Sequence, residues 1–122
     1  MRNLVVWVDI PVHDFERAKA FYEHLTGLPI VVANIGDSRM GFFLSEGSAN
    51  GVALIENPNA VPSREGVIVY LNGGDDLQPM LDLVEPAGGR IEAAKTKISA
   101  EHGCFAMFYD TEGNRLGIWS TN

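Results

Sequence analysis

The chain has almost no cysteine. Cys104 is its only one, so no disulfide can form within it, and a reducing, cytoplasmic setting is the expectation. Basic residues are also scarce, at nine Lys and Arg against sixteen Asp and Glu. The resulting net charge of −7 argues against nucleic-acid or anionic-membrane partners and mildly favours cationic ligands. No apolar run approaches the ~18 residues of a membrane span, and no signal-peptide pattern opens the sequence, so neither membrane insertion nor export is expected. The three histidines, His13, His24 and His102, have no metal-ligand spacing, and there is no Gly-rich phosphate loop, nucleophile elbow or CxxC. What remains is an ordinary globular composition, 46% hydrophobic and 20% charged. At 122 residues it reads as one domain, long enough to bury roughly two thirds of its unfolded surface.

What is present is a long repeat. The apolar run Leu4-Val5-Val6-Trp7-Val8 leads into a helix that starts near Asp14 and closes at Gly27. Later, Val67-Ile68-Val69-Tyr70-Leu71 leads into a helix that starts near Asp76 and closes at Gly88-Gly89. Three short apolar runs follow each helix, over 29–34, 39–45 and 50–57, then 90–97, 103–109 and 115–120. Two copies of strand-helix-strand-strand-strand are too few for a solenoid and fit two half-domains that leave a cleft. Module one spans about 1–57, a proline-bearing linker about 58–64, and module two about 65–122. Asp14 reads as an N-cap, with Phe15, Ala18, Phe21, Tyr22 and Leu25 at helical spacing behind it. Leu77, Met80, Leu81 and Val84 form the corresponding stripe of the second helix, with Pro79 in its first turn. In the opening run 3–10, Leu4, Val6, Val8 and Ile10 share an aliphatic face suited to packing under a helix. Val5, Trp7 and Asp9 share the other, which looks into the cleft. Asp110-Thr111-Glu112-Gly113-Asn114 is a hairpin loop, with Asp110 placed to bond its backbone.

His13-Asp14-Phe15-Glu16-Arg17-Ala18-Lys19-Ala20-Phe21-Tyr22, then Leu25-Thr26-Gly27, resembles the first helix of the vicinal oxygen chelate superfamily. Glyoxalase I, extradiol dioxygenases and bleomycin-resistance proteins belong to that superfamily. Tyr109 to Ser120 resembles its last hairpin. The resemblance implies an α+β fold, two βαβββ modules forming a curled eight-stranded mixed sheet around a cleft, usually in a homodimer. In the metalloenzymes of that superfamily, His and Glu side chains from the first and last strands of the modules hold a divalent metal. Sliding the signature onto this chain puts those positions at Trp7, Leu54 or Glu56, Val67 and Gly117. Tryptophan, valine and glycine side chains offer no donor to a divalent cation, so no metal and no cofactor is expected there.

In place of ligands the resemblance gives an apolar, aromatic floor from Trp7, Val67, Gly117 and Trp119, with space opened by the glycine. Met107 and Tyr109 are candidate walls, as are Met40 and Phe42, and Asp9, Leu54 and Glu56 complete the candidate ligand-binding set. Asp9 has Arg39 or Arg115 as a candidate partner. His102 and Glu56 are the catalytic candidates, since imidazole titrates near neutrality and Glu56 alone is a base or a cation anchor. Cys104, in an apolar strand, reads as an inert core thiol. Three functions stand side by side. One is a metal-independent protein that binds a small organic molecule, as a homodimer. Another is a lyase, isomerase or dioxygenase, metal-free or with a displaced metal on Glu56, Asp9 and His102. The third is a non-catalytic interaction module.

Overall fold

Asp14 and Gly27 bound the first helix as their chemistry implies. The computed structural model describes residues 4–122 and places α1 at Phe15–Thr26. Asp14 accepts the Arg17 backbone N–H at 3.1 Å, and Gly27 closes the helix at φ +70°, its N–H reaching the Glu23 carbonyl at 2.9 Å. Phe15, Ala18, Phe21, Tyr22 and Leu25 are all buried, as one helical stripe.

The chain divides into two units, Met1–Pro62 and Ser63–Asn122. Unit one runs β1 (Val8–Pro11), α1, β2 (Ile30–Ile35), β3 (Ser38–Ser45) and β4 (Ser48–Glu56). Unit two runs β5 (Tyr70–Asn72), α2 (Gln78–Val84), β6 (Arg90–Ser99), β7 (Gly103–Tyr109) and β8 (Arg115–Ser120). Each is βαβββ, and the fold is α+β. The strands form two four-stranded mixed sheets, ordered β1-β4-β3-β2 and β5-β8-β7-β6. In both, the first strand lies parallel to the last and the remaining pairs are antiparallel.

In unit one the core lies between α1 and one face of its sheet. Ile10, Leu54 and Phe43 are buried there, and Tyr22 meets Phe43 edge to face at 5.7 Å. Gly41 lies in register with Leu54, and a Cβ on it would fall 2.9 Å from the Phe15 ring and 2.7 Å from Ile30. The helix can therefore sit close to the strand only because Gly41 has no side chain. In unit two Leu77, Leu81 and Val84 are buried, as are Ala106, Phe108, Leu116 and Ile118 of the sheet.

Three expectations change. The second helix begins at Gln78 rather than near Asp76, and Asp76 instead accepts the Gln78 N–H from outside it, at 3.0 Å. The first strands begin later than the apolar runs that lead into them, because pairing begins at Val8–Val52 and at Tyr70–Gly117. Leu4 and Val6, expected under a helix, are 100% and 81% exposed, and Val67 is 94% exposed. Asn3, at the start of the run 3–10, lies outside the described residues.

Candidate functional site

Each sheet has one face on its helix and one face free of it, and register assigns the candidates to faces. In unit one Ile10, Leu54 and Gly41 are in register on the helix side, and Arg39 and Glu56 continue that parity. Arg39 confirms it, since its guanidinium lies 4.4 Å from the Phe15 ring centroid and bonds Glu16 of α1 at 3.0 Å. Leu54 is therefore a fully buried core residue. Glu56 belongs to an open polar recess of about 520 Å³ lined also by Asn34, Asp37, Ser38, Arg39 and Asn57. A choice between positions 54 and 56 cannot reach the free face, because a two-residue step keeps the same side.

The free face of unit one is Asp9, Ala53, Phe42 and Val31 in register, joined by Trp7. The Trp7 ring lies 5.7 Å from Phe42, and its Nε1–H donates to Asp9 Oδ1 at 2.9 Å. Arg39 is engaged by Glu16 and Arg115 by Glu92, so the partner of Asp9 is the indole and neither arginine.

In unit two Tyr70, Gly117 and Met107 are in register on the free face, with Trp119 opposite Phe105 one pleat along and Tyr109 opposite Arg115 the other way. The space above Gly117 is taken: a Cβ there would fall 2.4 Å from the Tyr70 ring. The glycine thus seats an aromatic ring instead of opening a void. Tyr70, Ile98, Phe105 and Trp119 line an open apolar recess of about 350 Å³. Trp119 is held from below, its Nε1–H donating to the His102 carbonyl at 2.8 Å. It also covers Gly103, where a Cβ would meet the indole at 3.0 Å. His102 is otherwise built into its own turn, with Nδ1 3.0 Å from Ser99 Oγ and its backbone N–H on the same oxygen at 2.9 Å.

At the other end of this face stands a polar cluster. The Tyr109 hydroxyl donates a short hydrogen bond to Glu92, whose second oxygen accepts from Arg115 Nε at 2.7 Å. The Arg90 guanidinium lies 4.6 Å from the Tyr109 ring centroid. The Tyr109 bond, with Arg115 behind it, holds the Glu92 carboxyl below its ordinary range. The same bond keeps the proton on Tyr109 and raises the phenol.

Among the described residues, no three His, Cys, Asp or Glu side chains are placed to hold a metal ion. Glu56 and Asp9 point to opposite faces of one sheet, so no site joins them. Trp7, Val67 and Gly117 offer no side-chain donor to a divalent cation. Cys104 is buried and free. Asp110 is buried in its hairpin, accepting the Glu112 and Asn114 N–H groups at 2.8 and 2.9 Å. The sequence reading missed Tyr70, Glu92 and Arg90. Tyr70 is signalled by alternation in its run, but placing it needs the short β5–β8 register. No pattern in the sequence pairs Glu92 with Tyr109 or Arg115, which lie 17 and 23 residues away.

Residues 4–118 match the family model of the Glyoxalase/Bleomycin resistance protein/Dioxygenase superfamily. Among solved structures, glyoxalase I from Zea mays aligns with a TM-score of 0.73 at 19% identity, over 95% of this chain and 45% of its own. TnmS3, an antibiotic binding protein from Streptomyces sp. CB03234, aligns at 0.68 and 23% identity, over 99% of this chain and 98% of its own. The hypothetical protein SA1046 from S. aureus gives 0.70 and 22%, over 98% and 95%. No curated protein matches the chain. At these identities the structural likeness carries the fold alone.

Proposed function

This chain belongs to the Glyoxalase/Bleomycin resistance protein/Dioxygenase superfamily, and from that premise we propose that it binds a small organic molecule without a metal ion. The observation that carries this reading is the recess of Tyr70, Ile98, Phe105 and Trp119, an apolar surface with the indole fixed by a backbone hydrogen bond. A pre-ordered aromatic wall with few polar groups is what a flat organic ligand needs. TnmS3, an antibiotic binding protein that aligns over 98% of its own length, is in keeping with the binding reading. His102 and Glu56, the catalytic candidates, are engaged in a turn and placed on a helix-side face. The test is a ligand screen by tryptophan fluorescence, with Trp119→Ala expected to abolish the response of any hit. Hits that bind Trp119→Ala and Trp7→Ala as tightly as the parent would overturn the reading.

We also propose a homodimer joined edge to edge through β2, in a cytoplasmic setting. No described helix is long and apolar enough to cross a membrane. β2 is an edge strand, Ile-Val-Val-Ala-Asn-Ile, with no charge, and Val31, Val32 and Ile35 are exposed. Antiparallel pairing with its own copy sets no like charges opposite each other in a chain of net charge −7. Light scattering should give twice the chain mass, and Val31→Lys should return it to the monomer; a parent that is monomeric at micromolar concentration refutes the assembly.

A further inference from the structure

The polar end of unit two's free face collects guanidiniums in an acidic protein. Arg115 bonds Glu92 and Arg90 stacks on the Tyr109 ring, while Arg64 adds a weaker electrostatic pull on the Tyr109 phenol. These are three of the nine basic residues in the chain, and the one carboxylate bonded within the group is Glu92. Arg115 spends its charge there. Among the described residues, neither Arg90 nor Arg64 has a carboxylate partner in an ion pair. Tyr109 donates to Glu92, and Arg90 also acts on that carboxylate without pairing with it, so guanidiniums outnumber carboxylates in the group.

This cluster and the aromatic recess lie on one strand face. Arg115, Gly117 and Trp119 alternate along β8 on the same side, and the Tyr70 ring covers Gly117 between them. Four residues of strand put the cation end about 13 Å from the indole. Resting on the binding reading above, we propose that the ligand is an organic acid. Its flat apolar body lies on Tyr70, Phe105 and Trp119, and its carboxylate reaches Arg90 and Arg64. The net charge of the chain points toward cations, but in this cluster Arg90 and Arg115 stand against the one carboxylate of Glu92. A guanidinium that already stacks on an aromatic ring loses little freedom when it takes up a carboxylate, and the fork suits that anion.

The test uses the full chain and calorimetry with three probes on one scaffold: 3-(2-naphthyl)propionate, its amide and the corresponding amine. The acid should bind at least about tenfold tighter than the amide at low salt, a difference of about 1.4 kcal/mol, and its advantage should shrink as salt rises. Arg90→Gln combined with Arg64→Gln should erase the advantage and leave amide binding unchanged. Equal binding of acid and amide, both lost in Trp119→Ala, would keep the aromatic recess and overturn the anion assignment. Tightest binding of the amine overturns it as well. If none of the three binds, both the assignment and the binding reading fall.

Discussion

Unit one and unit two repeat one strand order, yet they finish their helices and free faces with different chemistry. α1 has twelve residues, a side-chain cap and three buried aromatic rings; α2 has seven, no side-chain cap at Leu77, and an aliphatic stripe. On the free faces, unit one offers Trp7, Phe42 and Asp9, whereas unit two adds a phenol, a carboxylate and arginines beside its indole. The edges differ too. β2 is uncharged, while β6 carries Glu92, Lys95 and Lys97, and charge on an edge discourages pairing. The shared topology thus carries one unit finished with apolar packing and another with polar groups on its free face.

The largest expected effect tests the packing half of that contrast. Phe15→Ala should cost about 3–5 kcal/mol and Leu81→Ala about 2–5, with Phe15 the greater of the two. The Phe15 ring is 1% exposed, abuts Gly41 and carries the Arg39 guanidinium, so its loss removes more than its own area. Urea unfolding of both variants checks the order. A larger loss from Leu81→Ala would mean that the second unit, not the first, holds the stability.

A smaller pair of effects separates glycines that look equivalent. Gly41→Ala presses a methyl onto Phe15 and Ile30, which are both buried, and should cost about 1–3 kcal/mol as an overpacked core. Gly117→Ala presses onto Tyr70, whose ring is half exposed and can swing away, so its cost should be lower. What Gly117→Ala should lose instead is ligand affinity, because the displaced ring is part of the recess. Equal stability losses with unchanged binding would show that Tyr70 plays no part in recognition.

The fold was legible because its signals are local. Asp14, Gly27 and the stripe from Phe15 to Leu25 set α1, and alternation in 115–120 set β8 to the residue. Strand ends were less legible where pairing decides them, as at Val67, since an apolar run does not say how many of its residues find a partner. Tertiary contact also decided the site. Gly117 lies on the free face, and only the β5–β8 register brings Tyr70 onto it. Leu54 and Glu56 were drawn toward the site by a resemblance that fixes neither register nor face. Net charge, a sum over the chain, does not show where single charges stand, such as Arg90 and Arg115 beside Tyr109 and Glu92.

The least perturbing prediction concerns protons at that corner. Tyr109 is raised above its ordinary value near 10 because its hydroxyl bonds Glu92. A group whose folded value is raised adds stability that is complete below the unfolded value and is lost as pH rises through the folded one. Glu92, held low first by Tyr109 and then by Arg115, works in the other direction. Its contribution is present above the ordinary carboxylate value and disappears as pH falls through the depressed one. Stability from this cluster should therefore be flat between those limits and fall off outside them. In unit one Asp9 meets an indole N–H, which does not titrate, so no matching alkaline limit is expected there. Phenolate absorbance should show a late step from Tyr109, and Glu92→Gln should bring that step back toward the ordinary range. A titration curve that Glu92→Gln leaves unchanged would mean that the Tyr109–Glu92 bond does not hold the proton, and the contrast between the two free faces would lose its electrostatic part.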